Sequence, residues 1–280
     1  MKKAVPTRFY TRSLSLGIIF YPCFLFSAFE STHFSPFQNA MGGCPFSFFP
    51  NTTSILTDPT LLSDQKSIFG SGSFNNKFGI NDLYESSFIT GTRFKKYGVG
   101  LGFTRFGNSI YKESQVAILS SRRIRDNIIV GGGIMVYNLA IKEYGAASTI
   151  GTRLSLRYQM NASLQSVFSL LNANQPQIGK SKEPLPQVIS GGILLSPTES
   201  VHGQLSILHD ISYPISIRLG ISWQPINEIG FAVGKTTDPD IFTAGGFIKW
   251  KYFQFEFGCL SYANVGFVTY QAGFSIFRLP

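Results

Sequence analysis

The chain alternates between apolar and polar positions over most of its length. The alternation is clearest at 215–224, where isoleucine, leucine and tryptophan take every second position and serine, arginine, glycine and glutamine fill the others. Residues 150–159 and 253–258 repeat the scheme, and at 268–276 valine, tyrosine, alanine, phenylalanine and isoleucine alternate with threonine, glutamine, glycine and serine. A period of two residues is typical of a β-strand with one apolar face. The pattern therefore predicts an all-β protein.

About fourteen segments of this kind can be counted. The predicted strands are 66–74, 83–94, 97–106, 110–121, 127–139, 148–159, 161–172, 186–196, 200–209, 214–224, 227–235, 240–250, 251–261 and 264–277. Spread over 66–277, they leave about 15 residues for each strand and connection, enough for the roughly 9–11 residues that a tilted strand needs to cross a bilayer. Strands of soluble sandwiches more often have about 5–6 residues. We therefore predict a transmembrane antiparallel β-barrel of about 14 strands, with a soluble sandwich as the alternative.

The ends of the strands support the same interpretation. Aromatic residues such as Trp223 and Trp250 recur at segment ends, as an interfacial girdle requires. Short connections near Lys95, Met160 and Lys251 alternate with longer ones, which predicts short turns on one rim and long loops on the other. The connection at 140–147 fits neither rim. We expect the strand 264–277 to close the barrel by pairing with the strand that begins near Lys66.

The N-terminal part of the chain differs from the barrel. Residues 1–28 combine four positive charges before Ser13 with an apolar stretch at 13–26, which predicts a signal peptide cleaved after Ala28; an uncleaved membrane anchor is the alternative. Residues 29–65 are rich in proline, asparagine, serine and threonine but also contain many phenylalanines, too apolar for a solvated linker. We predict an N-terminal plug at 29–65 and the barrel at 66–280.

Composition narrows the functional classes. The chain contains 27 Phe, 12 Tyr and 2 Trp and is only 14% charged, whereas an ordinary soluble domain is about 25% charged. The net charge of +9 includes the four leader charges, and the other basic residues are scattered, so we predict no nucleic-acid partner. Of the cysteines, Cys23 belongs to the predicted leader, while Cys44 and Cys259 form a disulfide or remain two free thiols.

No sequence motif for catalysis or phosphate binding is present, so we predict that the protein is not an enzyme and has no cofactor. His209 and Asp210 are adjacent but lack a third ligand, and no metal site is predicted. The candidate functional side chains lie on the polar parity of the strands and face the lumen of a barrel: Arg153, Arg157, Arg218, Gln254 and Glu256. Such interior charges either pair with one another and the plug or line a solute path.

Several segments together resemble the PorV/PorQ family of outer-membrane proteins, within the superfamily of long-chain fatty-acid transporter (FadL-like) barrels. The resemblance is carried by Met41-Gly42-Gly43, by 58–62 (DPTLL), by 172–179 with the following EPLP at 183–186, and by the closing pair 253–262 and 265–277. The segment 58–62 departs from the family's usual asparagine, alanine and glycine. The resemblance implies a fourteen-strand barrel with an N-terminal plug, in which the plug candidates are Gly42, Gly43, Asp58 and Pro59.

The resemblance also implies a function. Members of the PorV/PorQ group act in type IX protein secretion, which predicts secretion components or secreted cargo as partners of a monomer in outer-membrane lipid. The alternatives are passage of small hydrophobic molecules, as in FadL-like transporters, and a structural barrel without a substrate. Transport predicts an apolar pocket between plug and wall, with hydrophobic-ligand contacts from Phe37, Phe46, Phe48 and Phe49. An adaptor predicts a sealed lumen and a functional surface on the long loops.

Overall fold

Fourteen antiparallel strands close into a barrel in the computed structural model, which describes residues 28–30, 35–48, 52–65, 67–80, 82–264 and 266–277. Each barrel strand pairs with its neighbours in sequence, and the first strand pairs with the last. The predicted closed antiparallel barrel is confirmed. A closed wall has no free sheet edges, which excludes the two-sheet sandwich. The predicted signal peptide lies, apart from Ala28, outside the described residues.

The strands follow the chain with few interruptions. The barrel strands are β1 (Phe69–Asn76), β2 (Tyr84–Phe94), β3 (Tyr97–Gly107), β4 (Tyr111–Arg125), β5 (Ile128–Ile141), β6 (Gly145–Asn161), β7 (Leu164–Leu171), β10 (Val188–Leu195), β11 (Val201–Asp210), β12 (Ser216–Ile226), β13 (Ile229–Thr236), β14 (Ile241–Trp250), β15 (Phe253–Tyr262) and β16 (Val268–Phe277). A small hairpin of β8 (Gln177–Ile178) and β9 (Glu183–Pro184) lies between β7 and β10. The described helices are α1 (Pro36–Ala40) and the 3-10 helices Thr53–Leu56, Pro59–Asp64 and Lys77–Gly79.

The barrel closes between β1 and β16, as the sequence predicts. The register runs from Phe69 opposite Phe277 to Asn76 opposite Tyr270. In β16, Thr269, Gln271 and Ser275 are buried. The small and polar parity of the last strand therefore faces the interior, and its aromatic parity faces outward.

The two faces of the wall have opposite chemistry. Large apolar side chains on the outer face are exposed, among them Leu219, Ile221, Phe255, Phe257 and Tyr270. The inner face carries buried serines, threonines and glutamines together with a few charged residues. An apolar outer face around a polar interior is the arrangement of a barrel that is surrounded by lipid. Among the described residues, no helix is both long enough and apolar enough to span a membrane.

The connections separate into two rims. One rim, the short-turn rim, consists of the turns at 95–96, 126–127, 162–163, 196–200, 227–228 and 251–252. The other, the long-loop rim, consists of the connections at 77–83, 108–110, 142–144, 172–187, 211–215, 237–240 and 263–267. The connection at 140–147, which the sequence left unassigned, is a tight turn at 142–144 on the long-loop rim. It is hard to recognise because β5 and β6 continue their pairing to Ile141 opposite Gly145.

Strand lengths depart from the prediction on one side of the barrel. The strand β4 ends at Arg125, four residues after the predicted end at 121. The strand β6 begins at Gly145, three residues before the predicted start at 148. The strand β7 is shorter than the predicted 161–172 because a turn at 162–163 precedes it. The added residues are mostly arginines in β4 and Gly145-Ala146-Ala147 at the start of β6. They continue the backbone pairing without a clear alternation, so alternation alone underestimates these strands.

The N-terminal residues occupy the barrel interior. Residues 35–48 and 52–65, here called the inner segment, lie against the inner wall with almost all side chains buried. The helix α1 packs on β13, β14 and β15, and the helix Pro59–Asp64 packs on β3, β4 and β5. The inner segment therefore contacts two different parts of the wall.

The two cysteines of the described chain are free thiols. Cys44 is buried in the inner segment, whereas Cys259 has the outward parity of β15 and is partly exposed. The barrel wall lies between them, so the disulfide alternative is wrong.

Candidate functional site

The first set of interior contacts joins the inner segment to β6. The guanidinium of Arg157 pairs with the carboxylate of Asp58 and donates to the Oγ1 of Thr60 at 3.0 Å and to the carbonyl of Ser47 at 3.0 Å. Asp58 also caps the helix Pro59–Asp64 by accepting from the N–H of Thr60 at 3.2 Å. Because Pro59 fixes the first helical position without needing a hydrogen-bond acceptor, the predicted Asp58-Pro59 pair forms a helix start. The helix start is tied to the wall by one arginine.

Two further wall arginines contact backbone carbonyls of the inner segment. Arg153, four residues before Arg157 on β6, donates to the carbonyl of Thr57 at 2.8 Å. Arg218 of β12 donates to the carbonyl of Gly43. Both side chains are buried, so these charge-assisted hydrogen bonds are protected from water.

A carboxylate on β15 connects α1 to the barrel wall. Glu256 accepts hydrogen bonds from the Oγ of Ser35 at 2.6 Å and from the N–H of Phe37 at 3.2 Å, both at the start of the helix. Gln254 donates to the other oxygen of Glu256 at 2.8 Å. A carboxylate at a helix N-terminus satisfies backbone N–H groups that have no partner within the helix. All five predicted lumen-facing residues are thus buried inside the barrel and, apart from Gln254, contact the inner segment directly.

The Gly42-Gly43 pair lies where the inner segment touches the wall most closely. Gly42 has φ +81°, and a Cβ there would lie 2.4 Å from the carbonyl oxygen of Leu219. The wall also carries glycines at this contact: a Cβ on Gly220 would lie 2.1 Å from the carbonyl oxygen of Met41, and one on Gly234 would lie 2.1 Å from the N of Gly42. Backbone therefore packs on backbone, and a side chain on either surface would separate them.

The phenylalanines of the inner segment are packing residues. Phe37 meets Phe247 edge-on with ring centroids 4.8 Å apart, and Phe46 is fully buried against Val167 and Leu194. Phe48 packs beside Phe46 and lies 4.9 Å from the ring of His202, measured between centroids. Phe49 lies outside the described residues.

A cavity of about 630 Å³ lies on the other side of the inner segment, at the long-loop rim. Its inner end is formed by Gly42 and Gly43, and Phe37, Phe46 and Phe48 do not line it. Its apolar lining consists chiefly of Phe78, Phe106, Val188, Leu208, Ile241 and Leu260. Its charged lining consists of Glu30, Lys77, Glu113, Asp210, Asp238 and Arg218. Apolar walls with a few polar groups are typical of small-molecule sites, and the volume is within their usual range of roughly 300–1,000 Å³.

Hydrogen bonds fix several charged groups of this cavity. The hydroxyl of Tyr111 donates to Glu113 at 2.6 Å, and the hydroxyl of Tyr213 donates to Glu30 at 2.5 Å. Lys77 is 3.0 Å from Glu85 and lies 4.6 Å over the ring of Phe106. In the 211–215 loop, burial and the hydrogen bond to Glu30 raise the pKa of Tyr213, so its hydroxyl remains a donor at neutral pH.

Among the predicted site residues that the structure describes, only Gly42, Gly43 and Arg218 line the cavity. The sequence prediction misses Glu113 and Asp210. Both parities of the strand 110–121 mix polar and apolar residues, so alternation does not show that Glu113 faces inward. Asp210 was considered only as a metal-ligand partner of His209. Asp210 lines the cavity, whereas the neighbouring His209 has the outward parity of β11.

No protein-family model matches the sequence, and no curated protein matches it. Solved structures do match the fold. The toluene transporter TodX from Pseudomonas putida superposes with a TM-score of 0.66 at 10% identity, covering 90% of this chain and 100% of that chain. The monoaromatic hydrocarbon channel CymD gives 0.65 at 10% identity, over 89% of this chain and 97% of that chain. A FadL homologue from Pseudomonas aeruginosa gives 0.64 at 7% identity, over 86% and 98%.

This chain therefore has the fold of the FadL-like hydrocarbon channels. None of the three structures described above is named as a PorV/PorQ protein. Membership of the PorV/PorQ family remains a prediction from the sequence resemblance.

Proposed function

We propose that the protein is an outer-membrane barrel that passes small hydrophobic molecules, with the inner segment as its plug. The observation that carries the proposal is the cavity at the long-loop rim, which combines an apolar lining with a few polar and charged groups. Similarity of fold to TodX and CymD supports the proposal, since both are named as hydrocarbon channels or transporters. A shared fold does not by itself determine function, so the proposal depends chiefly on the cavity. The proposal includes no catalytic step.

Membrane placement is part of the proposal. The apolar outer face would lie in the lipid, and the aromatic residues near the short-turn rim would lie at one interface. Membrane fractionation with heat-modifiable gel migration tests this part. Recovery of the folded protein in the soluble periplasmic fraction would contradict it.

Transport is tested with the full chain reconstituted in lipid vesicles and a neutral hydrocarbon probe such as toluene. The informative variant is Leu208→Trp, which places an indole in the cavity. Its matched control is Leu205→Trp on the same strand, where the side chain faces outward and is exposed. We expect faster probe entry than in protein-free vesicles, a loss of most of that increase in Leu208→Trp, and none in Leu205→Trp.

Equal probe entry with and without the protein would overturn the transport proposal. The type IX secretion role remains a prediction of the PorV/PorQ resemblance, and no contact in the described residues favours it over transport. Deleting the protein in a host that has this secretion system compares the two: normal secretion of cargo with reduced hydrocarbon uptake supports the transport proposal.

A further inference from the structure

We propose that the cavity at the long-loop rim selects amphiphiles with a cationic head group over those with a carboxylate head group. This inference rests on the proposed function, because it assigns a ligand class to the same site. It concerns the charges around the cavity, which the similarity of fold leaves undetermined.

Among the described residues that line the cavity, carboxylates outnumber cations. Glu30, Glu113, Asp210 and Asp238 line it, against Lys77 and Arg218. Glu85, which pairs with Lys77 at 3.0 Å, adds a further negative charge beside the lining. A head group that enters the cavity therefore meets a net negative surface, and in a partly enclosed site of low dielectric this potential is stronger than in bulk water.

Both cations of the cavity already have partners. The ammonium of Lys77 is held between Glu85 and the ring of Phe106. The guanidinium of Arg218 donates to the carbonyl of Gly43 and to the Oγ of Ser216 at 3.4 Å, at the inner end of the cavity. A carboxylate ligand would share Lys77 with Glu85, or Arg218 with the Gly43 carbonyl and Ser216. Because Glu85 already neutralises part of the charge of Lys77, the attraction of Lys77 for a second carboxylate is weaker than that of an unpaired ammonium.

Two tyrosine hydroxyls of the cavity donate to its carboxylates. The hydroxyl of Tyr111 donates to Glu113, and that of Tyr213 donates to Glu30. A tyrosine hydroxyl has one hydrogen to donate, so neither is available to an anionic ligand. The carboxylates, in contrast, attract any positive head group through their charge, and their remaining lone pairs can also accept from a head group that carries N–H groups. Repulsion of the wrong head group is a common route to specificity.

The apolar lining accounts for the rest of the ligand. Phe78, Phe106, Leu208, Ile241 and Leu260 would contact a hydrocarbon chain or ring. Phe78 additionally offers an aromatic ring to a cation, an interaction that a carboxylate does not gain. The lining therefore favours an amphiphile whose apolar part lies against these residues and whose positive head group lies near a carboxylate of the lining.

The test uses the full chain in nanodiscs of zwitterionic phosphatidylcholine and three probes of equal chain length: decyltrimethylammonium, decanol and decanoate. At pH 8 the decanoate is ionised, because an unperturbed carboxyl has a pKa of roughly 4. Binding is measured by calorimetry against protein-free nanodiscs, which subtracts partitioning into lipid. We expect decyltrimethylammonium to bind at least about tenfold more tightly than decanoate, a preference that decreases as salt is added.

The double variant Glu113→Gln with Asp210→Asn is expected to narrow the ratio between the two charged probes. The matched control is Asp126→Asn, which removes a carboxylate from a turn on the opposite rim and leaves the ratio unchanged. Heat-modifiable migration checks that the variants are folded, and the ranking of the probes by the unaltered protein needs no variant.

The outcomes separate the two proposals. Decanol binding combined with equal or tighter binding of decanoate than of the cation overturns the inference and leaves the hydrophobic site in place. Absence of binding by all three probes, decanol included, overturns the proposed function and the inference with it. Cation preference that is unaffected by the double variant contradicts the assignment to this cavity.

Discussion

Arg157 of β6 and Asp58 of the inner segment form an ion pair that is buried on both sides. The exposed fractions of the two side chains are 5% and 0%. The pair joins the barrel wall to the start of a 3-10 helix, so it connects two parts of the chain that are about a hundred positions apart in sequence. Loss of one partner would leave the other charge buried without compensation.

Substitution Asp58→Asn is therefore expected to destabilise the protein by about 3–5 kcal/mol, the usual cost of removing one partner from a buried pair. Urea unfolding followed by tryptophan fluorescence measures the change. The matched control is Asp64→Asn, which removes the partner of Arg123 from the same segment at a site where the side chains are 33% and 37% exposed. An exposed pair contributes about 0–1 kcal/mol, so equal losses in the two variants would contradict the distinction between them.

The contact between Gly220 of the wall and Met41 of the inner segment gives a second prediction. A Cβ on Gly220 would lie 2.1 Å from the carbonyl oxygen of Met41, so Gly220→Ala must displace the inner segment or the strand. Overpacking of this kind costs about 1–3 kcal/mol. We expect a lower unfolding midpoint in urea together with faster proteolysis within 35–65.

The control for this substitution is Gly203→Ala on the neighbouring strand β11, where a Cβ meets no atom within 4 Å. We expect this variant to unfold as the unaltered protein does or slightly later, because alanine restricts the unfolded chain more than glycine. Matching losses in Gly220→Ala and Gly203→Ala would show that the close approach at Met41 is unimportant.

Much of the barrel follows from local pattern. Alternation at 268–276 fixes which side chains of β16 face inward, and the pairing of β1 with β16 follows from the need to leave no open edge. The polar parity also selects Arg153, Arg157 and Glu256, whose side chains are buried in the barrel interior. Each of these properties depends on one strand and the strands paired with it. It can therefore be predicted from the residue pattern of the strand itself.

The contents of the barrel do not follow in the same way. Phe37 and Phe46 are apolar aromatic residues, the type that often contacts hydrophobic ligands. Whether such a side chain contacts a ligand or another side chain depends on the path of the inner segment, and that segment has no periodicity from which its path could be predicted. The cavity is lined from loops and strand ends such as Phe78, Tyr213 and Asp238, which the barrel topology brings together from distant parts of the sequence. Glycines such as Gly220 reveal a close contact only when the opposing backbone is known.

The different surroundings of Cys44 and Cys259 predict different thiol reactivity. Burial raises the pKa of the Cys44 thiol to about 11, so at pH 8 it is protonated and a poor nucleophile. Cys259 is partly exposed on the outer face. With an apolar maleimide at pH 8, we expect Cys259 to be labelled in the folded protein and Cys44 only after unfolding in urea, as measured by peptide mass spectrometry.

The variant Cys44→Ser serves as the control, since its labelling in the folded state should equal that of the unaltered protein. The raised pKa also has a consequence for stability. Because the folded state disfavours the thiolate, this contribution is complete below the ordinary pKa near 9.0 and is lost as the pH rises toward 11. Rapid labelling of Cys44 in the folded protein at pH 8 would contradict its burial in the interior.

The two tryptophans of the chain test how the barrel lies in a membrane. Trp223 and Trp250 are exposed on the outer face at the ends of β12 and β14 that lead to the short-turn rim. Lys251, in the turn after β14, lies 5.4 Å over the ring of Trp250, a combination suited to the boundary between lipid and water. Both indoles should therefore lie at the same interface.

The position of the indoles is measured by fluorescence quenching in vesicles with brominated lipids. We expect bromines near the head group to quench the fluorescence more strongly than bromines near the chain end. The same order is expected in the single-tryptophan variants Trp223→Phe and Trp250→Phe. Stronger quenching from the chain end, or none from either lipid, would show that this rim does not lie at the membrane surface.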